Sequence, residues 1–124
     1  MTTQLKKKLS ETMPQLGEIY AQQGFFSPVS AISETEAKEL RQDYEAAERE
    51  LQGDTDRLAL LKAYPNRLLP SFDAATRNRT LVTAAQEILG ENILVWSAAL
   101  FIKEADSTKI VSWHQDLTYW QLND

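Results

Sequence analysis

One short segment near the end of the sequence, WHQDLTYW at 113–120, combines residue types that bind metal ions. It contains the only histidine of the chain, His114, and a carboxylate two positions later, Asp116. On a strand, side chains at positions i and i+2 point to the same side, so the imidazole and the carboxylate would converge on one point. These are two of the three groups of the facial triad that binds non-haem Fe(II).

The same spacing has a structural interpretation, which stays open. A histidine that is hydrogen-bonded to a neighbouring aspartate is a common arrangement, and metal binding is only one of several roles of histidine. Because the chain has no cysteine, a disulfide framework and a thiolate zinc site are both excluded. A catalytic zinc site built on several histidines is disfavoured, since only one histidine is present.

Two further side chains could complete a site around these donors. Lys103 precedes His114 by eleven residues, and a hairpin would bring its ammonium group back toward the metal, where it could meet a carboxylate of a small dianionic ligand. Trp120 could wall a pocket that excludes water. Lys103 could equally be a charge that protects an edge strand, and the tryptophans, Trp96 above all, could be core residues.

The elements before this segment are predicted to be helices. Apolar residues recur at helical spacing ahead of Gly24, a typical helix stop, and Ser33 with Glu36 forms a capping-box pattern. The stretch TLVTAAQEIL predicts a further helix that ends at Gly90. Between these helices, RLLPSFDAATRN at 67–78 is predicted to be irregular.

The last third of the sequence has the pattern of strands. NILVWSAALFIK (92–103) and KIVSW (109–113) are rich in β-branched and aromatic residues, and the polar EADST (104–108) between them predicts a turn. The expected fold is α+β within a single, partial domain 1–124, with a mainly helical part at 1–90 and a sheet part at 91–124. Exposed strand edges would favour self-association.

Two stretches resemble the phytanoyl-CoA dioxygenase family. YAQQGFFSPVSAISETEAKELRQDYEAAE (20–48) is similar to the opening of that family, and ILGENILVWSAALFIKEADSTKIVSWHQDLTYWQL (88–122) resembles its first catalytic segment. Members are Fe(II)- and 2-oxoglutarate-dependent oxygenases. The resemblance therefore implies that the helices lead into the first strands of a double-stranded β-helix, a jelly-roll barrel of two sheets.

The resemblance also implies roles for individual residues. By matching position, His114 and Asp116 are the first two iron ligands, and Lys103 contacts 2-oxoglutarate. Ser97 matches a position that faces the substrate in the ectoine hydroxylase branch, and Trp120 resembles an aromatic residue that lines the same pocket. Because the metal-binding carboxylate is present rather than a small residue, the resemblance favours hydroxylation of a small-molecule C–H bond by dioxygen over halogenation.

The family also needs a second histidine and an arginine on later strands, and this sequence has no second histidine. We therefore expect the chain to be the N-terminal part of a larger oxygenase, with almost no activity of its own. Two alternatives stay open: one half of a split oxygenase, and a non-catalytic helical interaction module derived from the family. The net charge of −5 disfavours binding to nucleic acid or anionic membranes, and no apolar run is long enough to span a bilayer, so a cytoplasmic location is expected.

Overall fold

The computed structural model describes residues 15–116 and is helical up to residue 89. In that part of the chain six helices follow one another: α1 (Leu16–Gln23), α2 (Glu34–Glu50), α3 (Thr55–Ala63), α4 (Pro65–Leu68), α5 (Pro70–Thr76) and α6 (Arg79–Leu89). None of the helices found there is long and apolar enough to cross a bilayer. The remaining residues, up to position 116, form neither helix nor strand.

The helix ends carry the signals that the sequence predicted. At the start of α2, the Ser33 hydroxyl accepts a hydrogen bond from the Glu36 N–H at 3.2 Å, and the Glu36 carboxylate accepts one from the Ser33 N–H at 2.6 Å. Gly24 ends α1 in the left-handed conformation, with φ of 76°. Gly90 follows α6 directly. The predicted helices at these three places are confirmed.

The segment 67–78 differs from its prediction, because most of it is helical. Pro65 and Pro70 are the first residues of α4 and α5. The first N–H groups of a helix have no intrahelical partner, so a proline at this position loses no hydrogen bond and its fixed φ suits the helix. The prediction of an irregular segment was wrong because prolines that begin short helices were interpreted as helix breakers.

The main core lies where α2 meets α5 and where α3 and α4 pack beside them. Tyr44 of α2 is only 7% exposed and packs against Phe72 of α5, with ring centroids 6.2 Å apart. Leu61 of α3 and Pro65 of α4 are also buried. Burial of these apolar groups supplies the main packing energy of the helical part.

A second packing contact joins α1 to α6. Leu16 is buried there, and beside it the Gly17 backbone comes so near to α6 that an added Cβ would lie 2.6 Å from the carbonyl oxygen of Glu87. At the other end of α6, the Asn78 side chain accepts hydrogen bonds from the second and third N–H groups of the helix. Its amide nitrogen donates to the carbonyl of Ala31 at 3.0 Å, which holds the link between α1 and α2 against α6.

The expected sheet is absent from residues 15–116, so the predicted α+β fold, with the first strands of a double-stranded β-helix, is wrong for the part of the chain that the structure describes. A strand exists only where a second strand pairs with its N–H and C=O groups, and β propensity alone does not provide this partner. The segments 92–103 and 109–113 do not pair with each other. Instead, the Leu100 N–H donates to the carbonyl of Lys62 near the end of α3, at 2.9 Å.

Candidate functional site

The side chains of His114 and Asp116 meet near the end of the described chain. Nε2 of His114 lies 3.3 Å from Oδ1 of Asp116, and the two side chains are 39% and 77% exposed. Nδ1 of His114 lies 2.8 Å from the carbonyl oxygen of Ser112. The pair is therefore open to solvent and is not enclosed in a hydrophobic core.

The two ring nitrogens of His114 have different hydrogen-bonding roles. Because a carbonyl oxygen only accepts, Nδ1 donates its hydrogen to Ser112. In a neutral imidazole the lone pair then belongs to Nε2, which lies beside a carboxylate oxygen of Asp116 that also only accepts. Two such acceptors repel each other unless a proton or a cation lies between them. The same tautomer, with one nitrogen donating to a carbonyl, is the one in which histidine binds metals.

Whether these donors fit an iron ion can be judged from their separation. Two donor atoms that bind one ion at roughly 2.1 Å and at about a right angle lie about 3 Å apart. The observed separation of 3.3 Å between the His114 nitrogen and the Asp116 oxygen is close to this distance. Within residues 15–116, no cluster of three or more histidine, cysteine or acidic side chains could hold a metal. The donors therefore fit two of the three protein positions of a facial triad.

The turn that separates the two predicted strands is present. The Ser107 N–H donates to the carbonyl of Glu104 at 3.2 Å, and the Lys109 N–H donates to the Ser107 hydroxyl at 3.3 Å. Asp106 has φ of 60°, a conformation that aspartate tolerates better than most residues. The turn lies between the segment that ends at Lys103 and the segment that carries the histidine.

Two of the other predicted site residues, Ser97 and Lys103, lie within the described chain. Ser97 and Lys103 are both exposed, and among residues 15–116 Lys103 forms no ion pair or hydrogen bond with Asp116. Trp120 lies outside the described residues. Trp96 is exposed, so its interpretation as a core residue is wrong in this structure.

Sequence analysis missed an apolar hollow among the helices. It has a volume of about 420 Å³ and is lined mainly by aliphatic side chains from α2, α3 and α4. Arg57 stands at this hollow and pairs with Asp54 at 3.4 Å. The signal that could have revealed the hollow is the density of leucines in LALLKAYPNRLL, which exceeds what one buried helix face needs. This hollow offers packing surface and carries no cluster of reactive groups.

Comparison with known proteins identifies the family. The family model described as phytanoyl-CoA dioxygenase matches residues 20–124, which include most of the helical part and the His114–Asp116 pair. No curated protein and no solved structure matches the chain. The family is generally dependent on Fe(II) and 2-oxoglutarate. The match covers well over half of the sequence, and the chain therefore belongs to the phytanoyl-CoA dioxygenase family.

Proposed function

We propose that this chain supplies part of the active site of an Fe(II)- and 2-oxoglutarate-dependent dioxygenase that hydroxylates a C–H bond of a small molecule. Membership of the family supports this class of reaction. The observation that carries the assignment to particular residues is the arrangement of His114. Its Nδ1 donates to the Ser112 carbonyl, and its Nε2 lies 3.3 Å from the carboxylate of Asp116.

In this proposal His114 and Asp116 hold the iron through Nε2 and a carboxylate oxygen. The hydrogen bond to Ser112 keeps the imidazole ring in the orientation and the tautomer that metal binding needs. Bound iron supplies the activation of dioxygen, with one oxygen atom going to the substrate as a hydroxyl group and the other to succinate as 2-oxoglutarate loses carbon dioxide. The chain's own residues orient the reactants around the metal.

Lys103, Ser97 and Trp120 are proposed to contribute to the same site. The exposed ammonium group of Lys103 is available to a carboxylate of 2-oxoglutarate, since within the described residues it forms no ion pair. Ser97, also exposed, would face the substrate. Trp120 would line the same pocket. The carboxylate of Asp116 would fill the coordination position that a halide needs, which favours hydroxylation over halogenation.

The experiment that tests the metal site is a calorimetric titration of the chain with Mn²⁺, used as an air-stable probe for Fe(II). Wild type should bind one ion, while His114→Ala and Asp116→Ala should each weaken binding by at least roughly tenfold. Loss of a residue that only hydrogen-bonds to a metal ligand already has an effect of this size. Gln115→Ala, which lies between the two ligands, is the matched control and should bind as wild type does. Equal binding by all four proteins would contradict the proposed site.

A second candidate function is a non-catalytic interaction module, and the exposed apolar side chains after α6 favour it. Among them are Phe101, Ile110, Val111 and Trp113, all almost fully exposed. Contiguous exposed apolar surface commonly marks a protein–protein contact. The titration separates the two candidates, because an interaction module would not bind Mn²⁺. Sedimentation of the chain at several concentrations would then show whether it associates with itself.

A further inference from the structure

The apolar side chains of α6 share one face of the helix, and the rest of the described chain leaves this face partly open. They recur at positions 81, 82, 84, 85, 88 and 89, the spacing of an amphipathic helix that packs against a partner. None of them is buried, and Leu81 and Ile88 are 43% and 39% exposed. The helix α1 packs on α6 but has only eight residues, so it covers the face only in part.

An apolar groove of about 230 Å³ lies where α1, α6 and the link after α1 meet. Leu16 and Tyr20 come from α1, Ala85 and Ile88 from α6, and Phe26 from the link. The side chains that line the groove are aliphatic or aromatic, so they offer almost no hydrogen-bond partners to water or to a polar ligand. Burial of apolar surface against such a lining is favourable, and the groove therefore favours an apolar occupant.

The segment before α1, residues 1–14, is attached beside this groove. Leu16, the first residue of α1, is buried and lines the groove. In the segment, Leu5, Leu9 and Met13 are spaced four residues apart, so in a helix they would share one face. Leu9 lies seven residues before Leu16, which corresponds to about 10 Å in a helix and about 24 Å in an extended chain. An apolar side chain of the segment can therefore reach the groove in either conformation.

Pro14 separates this segment from α1. A proline disfavours the helical conformation of the residue before it, here Met13, so the sequence favours a change of chain direction at this point. A segment that simply continued the axis of α1 would have no reason to meet the groove. One that turns at Pro14 can fold back over it.

The charge of the segment is complementary to that of the helices beside the groove. The segment has three lysines at 6–8 and a single glutamate. Glu18 of α1 and Glu87 of α6 are exposed, and among residues 15–116 neither carboxylate forms an ion pair. Exposed ion pairs contribute little to stability, so the charges would orient the segment while the apolar contacts hold it.

We propose that residues 1–14 fold back over the groove between α1 and α6 and insert the stripe of Leu5, Leu9 and Met13 into it. This inference does not depend on the metal site. Because the segment is tethered at α1, its effective concentration at the groove is on the order of millimolar even before any specific contact forms. A few apolar contacts are then enough to keep it docked.

The absence of cysteine from the chain allows a direct test with engineered cysteine pairs. Leu9→Cys is combined either with Ala85→Cys, at the groove, or with Gln86→Cys, the next residue of α6, which does not line it. With oxidised glutathione, the first pair should form a disulfide within the chain at least roughly tenfold faster than the second, because docking holds the two thiols together. Circular dichroism of the reduced proteins shows whether the helices are intact, and Ile88→Cys replaces Ala85→Cys if that variant disturbs the fold.

Equal rates for the two pairs would mean that the segment is tethered but not docked, and would overturn the proposal. A disulfide between two chains in place of one within the chain, seen as a doubled mass on a non-reducing gel, would assign the groove to a second copy and overturn it as well. Leu5→Ser, added to the Leu9→Cys and Ala85→Cys pair, should reduce the preference. Gln4→Ser, which lies outside the apolar stripe, is the matched control and should keep it. A preference that Leu5→Ser leaves unchanged would contradict the role of the stripe.

Discussion

Gly17 of α1 lies against the backbone carbonyl of Glu87 on α6, so that a Cβ added to the glycine would be 2.6 Å from the carbonyl oxygen. Real Cβ atoms do not come so near to backbone oxygen, so one helix must move if the methyl group is added. Gly17→Ala should therefore lower the free energy of unfolding by about 1–3 kcal/mol, as overpacking does elsewhere. Urea denaturation measures this change.

The sign of that change is decisive. In an open helix the same substitution should stabilise by up to about 1 kcal/mol, because alanine has the higher helix propensity. A gain in stability for Gly17→Ala would contradict the close approach of the two helices. Glu18→Ala, at the exposed neighbouring position, is the control and should change stability by less than about 0.5 kcal/mol.

The cap of α2 depends on the Ser33 hydroxyl, which accepts a hydrogen bond from the N–H of Glu36. Ser33→Ala leaves that N–H without its protein partner and should lower the free energy of unfolding by about 1 kcal/mol. Thr35→Ala, an exposed substitution in the same turn that touches no cap atom, is the comparison. Equal stability of both variants in a thermal or urea melt would show that the capping box contributes nothing.

The same cap predicts a pH dependence. Hydrogen bonds from the Ser33 side chain and backbone hold the pKa of the Glu36 carboxyl below its ordinary value. The folded state therefore binds the proton less readily than the unfolded state. The contribution of Glu36 to stability is complete above the ordinary glutamate pKa of about 4.3 and is lost as the pH falls through the lower folded value. Stability curves of wild type and Glu36→Gln should converge as the pH falls through this range and stay parallel above it.

Tyr44 predicts two opposite outcomes for two substitutions. Its ring packs on Phe72, but its buried hydroxyl has no hydrogen-bond partner among residues 15–116. Tyr44→Phe keeps the packing and removes an unsatisfied polar group, so stability should be unchanged or higher. Tyr44→Ala leaves a cavity and should cost about 3–5 kcal/mol. A large loss in Tyr44→Phe would mean that the hydroxyl has a partner after all.

Alkaline pH offers a further check on Tyr44. Because burial and two nearby carboxylates raise the pKa of its phenol, the folded state keeps the proton longer than the unfolded state does. This contribution to stability is complete below the ordinary tyrosine pKa of about 10 and is lost as the pH rises through the higher folded value. Tyr44→Phe should lose less stability above pH 10 than wild type does.

Metal removal should be visible as a change in stability. If His114 and Asp116 bind Mn²⁺ in the folded chain, an ion concentration of about 100 times the Kd should stabilise the chain by about 2.7 kcal/mol, and a chelator should reverse it. Asp116→Asn keeps the size of the side chain but removes its charge, and its melting temperature should not respond to Mn²⁺. Stabilisation of this variant to the wild-type extent would place the ion elsewhere.

The helical part could be predicted well because its signals are local. A capping serine, a left-handed glycine and an apolar face act within one or two turns. A helix begins after Ser33, and helices end at Gly24 and Gly90, as predicted. The error at 67–78 is also local, since a proline can begin a short helix as well as end one. The contact between Gly17 and Glu87 has no local signal, because its two residues are far apart in sequence.

The sheet could not be predicted from the pattern after Gly90, because a strand depends on a partner that the pattern does not specify. The apolar segment 92–103 has the composition of a strand, yet it pairs with no strand among the described residues, and the Leu100 N–H donates instead to the carbonyl of Lys62. The His114–Asp116 pair involves neighbours two residues apart, so its convergence needs little tertiary structure. The relation of Lys103 to that pair is non-local, and it stays a prediction.

The side chain of Asn78 uses both ends of its amide group at once. Its oxygen accepts a hydrogen bond from the Thr80 N–H at the start of α6, while its nitrogen donates one to the carbonyl of Ala31, which lies 47 residues earlier. Aspartate or serine could serve as the cap, but a carboxylate cannot donate, and a serine hydroxyl has its donor and acceptor on one short side chain that does not reach both places. One planar group thus sets both where a helix starts and how a distant linker runs, so slow hydrolysis of this amide to an acid would leave the helix in place and release the linker.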